Sequence, residues 1–393
     1  MDIAVNELAV IHKLGHRLIE AAGVDLHLSA TTDRRTSIAD ADYVLTSFRQ
    51  GGFEARHQDE AIPLKYGVIG QETIGPGGFF FAMRTLPIIK TITEEMRKLA
   101  PQATLINYTN PTQIVAEAVS HFTKVPVISI CDQSSSDLKR ILTALPIKEP
   151  RDVKYESAGL NHGAWSTRFQ IDGRDGVALM NDACDDVLAC PQVPARVKRQ
   201  FRLTRVFGRV PNSYLQHYYY REETLAEAQA APLTRAQEIV AELPDYYAHY
   251  REQAAAETPK LRKVRGGSLF GDMAVDVLRS LTMDDGAIHI LNVPNGGALP
   301  GFDADRVVEV PCRLDRLGAT PLTQPPLPNQ VMGLLKMLAE YQWLAAEAIW
   351  KGTRREVIKA LAANPLVLSL SLAETLLDEI TPLQRAYIPE RLR

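Results

Sequence analysis

Apolar residues recur at helical spacing over residues 7–22. Leu8, Ile11, Leu14, Leu18 and Ile19 share one face, and Gly23 follows as a C-cap. A short apolar run at 26–30 predicts a strand, TTDRR leads into a brief polar helix through Ala39, and residues 42–47 (DYVLTS) predict a buried strand. Further on, the pattern predicts helix over 86–99, strand over 103–108, helix from Asn110-Pro111 to Phe122, strand over 125–131 and helix over 134–145. Strands alternating with helices at this rhythm define an α/β fold with a doubly wound, Rossmann-type parallel sheet. Such sheets carry their chemistry at the carboxyl ends of strands. Arg49, Asn110, Cys131 and Asp132 fall there.

Past residue 150 the pattern loosens. Strands are predicted at 153–156 and 165–171 around AGLNHGAW, then a tyrosine-bearing helical middle, then strands at 287–293 and 306–310. The C-terminal stretch is helical, with Leu334, Leu335, Leu338, Trp343, Leu344, Ile349 and Trp350 on a thick apolar face. PIKEPRD is the linker-like break, giving a Rossmann-like domain over 1–150 and an α+β C-terminal domain over 151–393.

Between the strand at 42–47 and the helix at 86–99, residues 48–85 read as one long polar connection. Ordinary connections take about 2–6 residues, and structureless ones beyond about 12–15 are uncommon unless they serve a function. The segment is either a surface excursion or the place where the scaffold presents its chemistry.

Composition narrows the classes. A net charge of −3 supplies no basic field for nucleic acid or a membrane surface, and no apolar run is long enough to span a bilayer. Cys131, Cys184, Cys190 and Cys312 show no CxxC spacing, so neither a disulfide framework nor a structural zinc site is indicated, and a reducing cytoplasmic setting is expected. Cys131 at a strand end reads either as plain core or, with His162 of GLNHGAW, as a pair of donors to a divalent cation. Asn110 is either a helix cap before Pro111 or a ligand-binding amide. Tyr214 in VPNSYLQHYYY packs as an aromatic or acts as a base, with Tyr218 one turn on as the substitute.

The string YGVIGQETIGPGGFFFAMRT, with EAR and DE just upstream, resembles glycoside hydrolase family 4, the NAD- and divalent-metal-dependent glycosidases, and among them most the 6-phospho-β-glucosidases. That resemblance implies NAD and Mn2+ as cofactors. It implies a phosphorylated disaccharide or glucoside as substrate and assembly as a homodimer or homotetramer. Cys131 and His162 match the metal ligands of the family, and Tyr214 its base. Arg56 (EAR) and Arg235 (LTRAQE) match the arginines around the sugar 6-phosphate, a dianion that suits guanidinium forks. Glu72, Asn110 and Asn161 match sugar-binding positions, while Asp2, Thr32, Arg49 and Asn110 fall on the cofactor side. Asn295 and Gly296 resemble a later loop near the cofactor.

Two departures stand out. The family opens with a strand, a glycine-rich turn, a helix and a second strand ending in an acidic residue. Aligned by its downstream motifs, this chain starts at the end of that second strand, with Asp2 at the ribose-carboxylate position and about 40 residues of the unit expected upstream. After the metal cysteine, β-glucoside members carry asparagine and α-glucoside members aspartate in CDMP; this chain reads CDQS. Asp132 is then a candidate catalytic acid, or simply a carboxylate at a helix N-terminus. A 6-phospho-α-glucosidase therefore stays open.

The implied chemistry is redox-assisted elimination. A hydride passes from sugar carbon 3 to NAD, and the ketone so formed acidifies the carbon 2 proton for the tyrosine. The group on carbon 1 leaves, water adds, and the hydride returns. Two further readings remain: a 2-hydroxyacid dehydrogenase-like oxidoreductase on the same fold, and a non-catalytic remnant lacking its cofactor site.

Overall fold

Three short apolar runs, β1 (Tyr43–Thr46), β2 (Thr104–Asn107) and β3 (Val127–Ser129), pair in parallel, with Val44 opposite Leu105 and Ile106 opposite Ile128. The computed structural model describes residues 1–262 and 268–393. A separate three-stranded sheet follows, formed by β4 (Val153–Ala158), β5 (Trp165–Ile171) and β6 (Arg174–Asp175). The first sheet then resumes with β7 (Ile288–Pro294), β8 (Val307–Asp315) and β9 (Gly318–Pro321), giving six strands in the order β1-β2-β3-β7-β8-β9.

The fold is thus the expected α/β type, and its parallel half is β1 to β3. From β3 onward the pairing is antiparallel, starting with Ser129 opposite Asn292. Each half of the six-stranded sheet comes from one side of residue 150, and β8 runs five residues past the strand predicted at 306–310.

The N-terminal helices are α1 (Val5–Ala22), closed by left-handed Gly23, and α2 (Arg34–Ile38), capped by Asp33. No strand forms at 26–30. Val24 and Leu26 are exposed there, and a short apolar run with no strand beside it has no ladder to join.

The largest correction concerns residues 48–85. They are mostly helical: α3 spans Gly52–Lys65 and α4 runs the full Gly75–Leu99. Every residue of α4 from Gly75 to Leu86 is buried, so its apolar side chains surround the helix and show no amphipathic period. In α3 the buried set includes the charged residues Arg56, Asp59 and Glu60. Asp59 and Arg84 form a fully buried bidentate pair at 2.6 and 2.9 Å, joined by Gln384 from the C-terminus. Such a pair costs desolvation but strongly penalises any arrangement that leaves one charge alone.

Besides the turn at 48–51, residues 66–74 remain as an irregular crossing over the start of α4. A Cβ on Gly77 would lie 2.3 Å from the Gln71 carbonyl oxygen, and one on Gly78 2.5 Å from the Thr73 carbonyl carbon. The glycines permit that approach, and the crossing brings Gln71, Glu72 and Thr73 to the site. Behind β2 and β3, α5 (Thr112–Phe122) and α6 (Gln133–Ala144) complete the parallel unit, and the helix Asn329–Lys351 packs across α4 and α5.

Candidate active site

The carboxyl end of β3 leads through Ile130 to Cys131, at the threshold of α6. The loop between β4 and β5 carries Asn161 and His162, the latter in a left-handed backbone conformation with φ of 61°. A side chain rarely adopts that conformation without a compensating contact. Here the conformation places the imidazole with Nε2 3.5 Å from Cys131 Sγ and Nδ1 3.2 Å from Thr73 Oγ1. The Tyr214 ring stacks on it, with centroids 3.9 Å apart and planes 3° from parallel.

Tyr214 sits in a 3-10 turn, Ser213–Leu215, started by the Asn212 side chain. The turn is pinned to α6: Ser213 N donates to Asp137 at 2.8 Å, and Gln133 Nε2 bonds both Asp137 and Ser213 Oγ at 2.7 and 3.1 Å. One helix therefore sets both the cysteine and the phenol.

Burial dominates the electrostatics. It pushes the Cys131 thiol up to about 12, with help from the nearby Glu309 charge, and the Tyr214 phenol up to about 12. It holds His162 down to about 3, so the imidazole is neutral throughout the working range. Burial also raises the Asp132 carboxyl, which Ser136 and Tyr108 contact. Asp132 stands at the N-cap position of α6, without a side-chain cap bond to the helix.

Beside this triad lies an arginine cluster. Arg49 and Arg56 both pair with Glu72, the latter at 3.0 Å, and Arg56 also bonds Glu60 at 2.7 Å. The Arg49 guanidinium stacks 4.6 Å from the Phe81 centroid, and its Nη1 is buried with no partner among the described residues. The Glu72 charge acts on Tyr214, so the two groups of side chains adjoin.

The remaining sequence-derived candidates fall in different places. Asn161 lies beside the triad, but its amide donates to Glu309 at 3.0 Å. Asn110 is part-buried at the end of β2 and accepts from Thr112 Oγ1 at 3.0 Å. Pro111 stands at the cap position, although the Asn110 side chain also receives the Thr112 N–H at 3.4 Å. Asp2 accepts from Ala4 N at 2.9 Å and donates its own N–H to Thr31, next to Thr32, away from the triad's bonding network. Arg235 is more than half exposed and pairs with Glu238 of its own helix; the adjacent Ala236 N–H, not the guanidinium, reaches Glu60. The Asn295 side chain bonds its own loop, at Leu299, Phe302 and Asp303. Tyr218 is buried against Ile74 and Leu338 rather than stacked on His162.

Sequence reasoning missed Glu309. This fully buried carboxylate on β8 accepts from Asn161, Ser134 at 3.1 Å and Asn292 at 3.4 Å, joining α6 to the His162 loop. The one signal was a charged residue in an otherwise apolar strand, VVEV. Burial pushes its carboxyl up from 4.5 to about 7. The native state thus keeps a proton that the unfolded chain releases, and this contribution to stability is full below about 4.5 and lost as pH rises through about 7. Glu309→Gln is expected to remove up to about 3 kcal/mol of that pH dependence. Denaturant unfolding of the metal-free chain at several pH values checks it: the wild-type slope between about pH 5 and pH 8 should flatten in the variant.

A cation bonded to both Cys131 and His162 needs donors about 3.1–3.6 Å apart, given typical sulfur and nitrogen bond lengths. The observed 3.5 Å fits, and the imidazole is neutral. Among the described residues no third His, Cys, Asp or Glu closes a cage, which leaves positions for oxygen ligands from a substrate. β1 leads through Gln50 and the left-handed Gly51 and Gly52 into α3.

A thiol, an imidazole and a phenol gathered at the edge of an α/β fold, with paired arginines alongside, mark the site of an enzyme. The profile of family 4 glycosyl hydrolases matches residues 1–146, and that of the family 4 glycosyl hydrolase C-terminal domain matches residues 157–367. The chain belongs to that family of glycosidases. A 6-phospho-beta-glucosidase of Escherichia coli (strain K12) is 34% identical over 397 residues, covering 98% of this chain and 87% of that protein. The 6-phospho-beta-glucosidase structure from Thermotoga maritima, with manganese, NAD+ and glucose-6-phosphate, superposes with a TM-score of 0.83 at 28% identity, covering 98% of this chain and 91% of that one. A 6-phospho-alpha-glucosidase from gut microorganisms, in complex with NAD and Mn2+, superposes at 0.87 with 25% identity, covering 99% and 91%.

Proposed function

We propose that this protein hydrolyses 6-phospho-β-glucosides by redox-assisted elimination, with NAD and a divalent cation such as Mn2+. The observation that carries the reading is the stack of Tyr214 on His162, with Cys131 Sγ at 3.5 Å and the Arg49–Arg56–Glu72 cluster alongside. When bound, NAD and the cation supply the hydride acceptor and the Lewis acid that make a sugar carbon 2 proton acidic.

The chain's own residues do the rest. Cys131 and His162 hold the cation, and Tyr214 takes the carbon 2 proton. A phenol pushed up by burial needs a nearby positive charge to ionise, which a cation on its stacking partner provides. Asp132 protonates the departing oxygen on carbon 1. The unpartnered Arg49 Nη1 and the Arg56 fork receive the 6-phosphate, and Asn110 and Asn161 face the sugar hydroxyls. Asp2 and Thr32 take the ribose side of NAD. Arg235 serves the phosphate only if its guanidinium leaves Glu238. We assign the ends of the chain to a nucleotide-binding part before about residue 150 and a catalytic and assembly part after it. The four free cysteines suit a reducing cytoplasm, and assembly as a homodimer or homotetramer follows from the family resemblance.

A second reading, the α-anomer, is favoured by one observation, the aspartate at position 132 directly after Cys131, where the α-glucoside members carry one. Para-nitrophenyl 6-phospho-β-glucoside and its α-anomer, assayed side by side with NAD, Mn2+ and a thiol reductant, decide between them. Turnover of the β-substrate is expected, abolished by EDTA. Arg56→Ala should raise KM for it about 10²-fold with a smaller change in kcat, as expected for a charge-assisted phosphate contact. Equal turnover of an unphosphorylated glucoside would remove the phosphate from the account.

A further inference from the structure

Beyond the ligands themselves, the crossing segment contains a hydrogen-bond chain whose polarity can be read without ambiguity. Gln71 Oε1 lies 2.6 Å from Thr73 N and 3.2 Å from Ile74 N. Backbone N–H groups only donate, so the atom facing them is the amide oxygen and not the nitrogen. The Thr73 hydroxyl is 2.9 Å from the same oxygen and therefore gives its single proton to it. With that proton committed, Thr73 Oγ1 can only accept at its 3.2 Å contact with His162 Nδ1. The proton of the neutral imidazole is then on Nδ1, and Nε2 presents its lone pair to Cys131 Sγ. The other end of the Gln71 amide, Nε2, donates to the Tyr214 oxygen at 3.4 Å.

We propose that Gln71 and Thr73 are positioning residues: through this chain they fix His162 in its Nδ1–H tautomer, with Nε2 bare toward Cys131, and they hold the Tyr214 phenol in register over the imidazole. The arrangement is built into the metal-free protein. The left-handed backbone at His162 sets the ring between its two contacts, and glycines 77 and 78 let the Gln71–Thr73 turn approach closely enough to make them. Outer partners of this kind set the tautomer and orientation of ligating histidines. The consequence for metal binding rests on the function proposed above; the tautomer does not.

Ring 15N spectra of the metal-free, full-length chain test the tautomer, with the His162 signals identified by their loss in His162→Gln. The expected result is a pyrrole-type Nδ1 and a pyridine-type Nε2 across neutral pH. The reverse assignment in the wild-type protein overturns the proposal, whether or not any variant folds. Thr73→Val should lose the bias and weaken Mn2+ binding about 10–100-fold by titration, and Thr73→Ser should restore both. Unchanged tautomer and affinity in Thr73→Val would also overturn it. If the wild-type chain shows the expected tautomer but binds no Mn2+, the positioning role stands and the metal-dependent function is what fails.

Discussion

Tyr214→Phe is expected to lower kcat about 10³-fold, in the range that general acid–base groups contribute. The substitution removes one oxygen and leaves the ring stacked on His162, so the fold and the cation site should survive. Gln71 Nε2 loses its acceptor, a small structural change beside the loss of the base. Metal affinity should therefore hold while turnover collapses. Rapid-quench or steady-state assays paired with a Mn2+ titration separate the two. A variant that keeps its rate would move the base to another residue, and Tyr218 is a poor substitute because it is packed among aliphatic side chains.

The second large effect belongs to Cys131→Ser. The sulfur contacts the imidazole of His162, and burial holds the thiol in its neutral form without a cation. Replacing it with a hydroxyl keeps the volume close but removes a donor that can ionise onto a cation. Mn2+ affinity should fall about 10²-fold or more, since even outer partners of a metal site are worth 10–100-fold. Activity should fall with it and recover only in part at high Mn2+. His162→Ala should match the loss. Thermal unfolding of the metal-free variants should stay close to wild type, which distinguishes a lost ligand from a damaged core. Activity left intact in Cys131→Ser would favour the oxidoreductase reading, which needs no metal-binding thiol.

Much of this was legible in the residues. The alternation from 86 to 145, with the strand at 42–47, predicts the parallel half correctly, because each strand is a short apolar run and the stretches at 86–99 and 134–145 are amphipathic. Cys131, His162 and Tyr214 come together although 83 residues separate the first from the last. Their convergence was implied by family resemblance and not by any local pattern, since nothing in spacing says which turns meet.

The helices within residues 48–85 were hidden for two physical reasons. Glycine and proline punctuate loops in most contexts, yet Pro76 sits in the first turn of α4, where a proline lacks only a donor the helix does not use. Burial on all sides also erases the period that would have marked α4, and the buried ion pairs of α3 mimic a solvated face. Glu309 and the Gln71–Thr73 chain were out of reach for a different reason. Their roles depend on partners 175 and 89 residues away in sequence, which only the folded packing supplies.

The account turns on a carbon–hydrogen bond at sugar carbon 2 being broken during turnover. Hydrolysis of a 6-phospho-β-glucoside in D2O, with NAD and Mn2+ present, reads this directly from the proton spectrum of the glucose 6-phosphate released. Elimination and re-addition predict deuterium at carbon 2 of the product. Product that retains its full carbon 2 proton would mean direct displacement by paired carboxylates, and the roles given to Tyr214, His162 and Cys131 would be wrong.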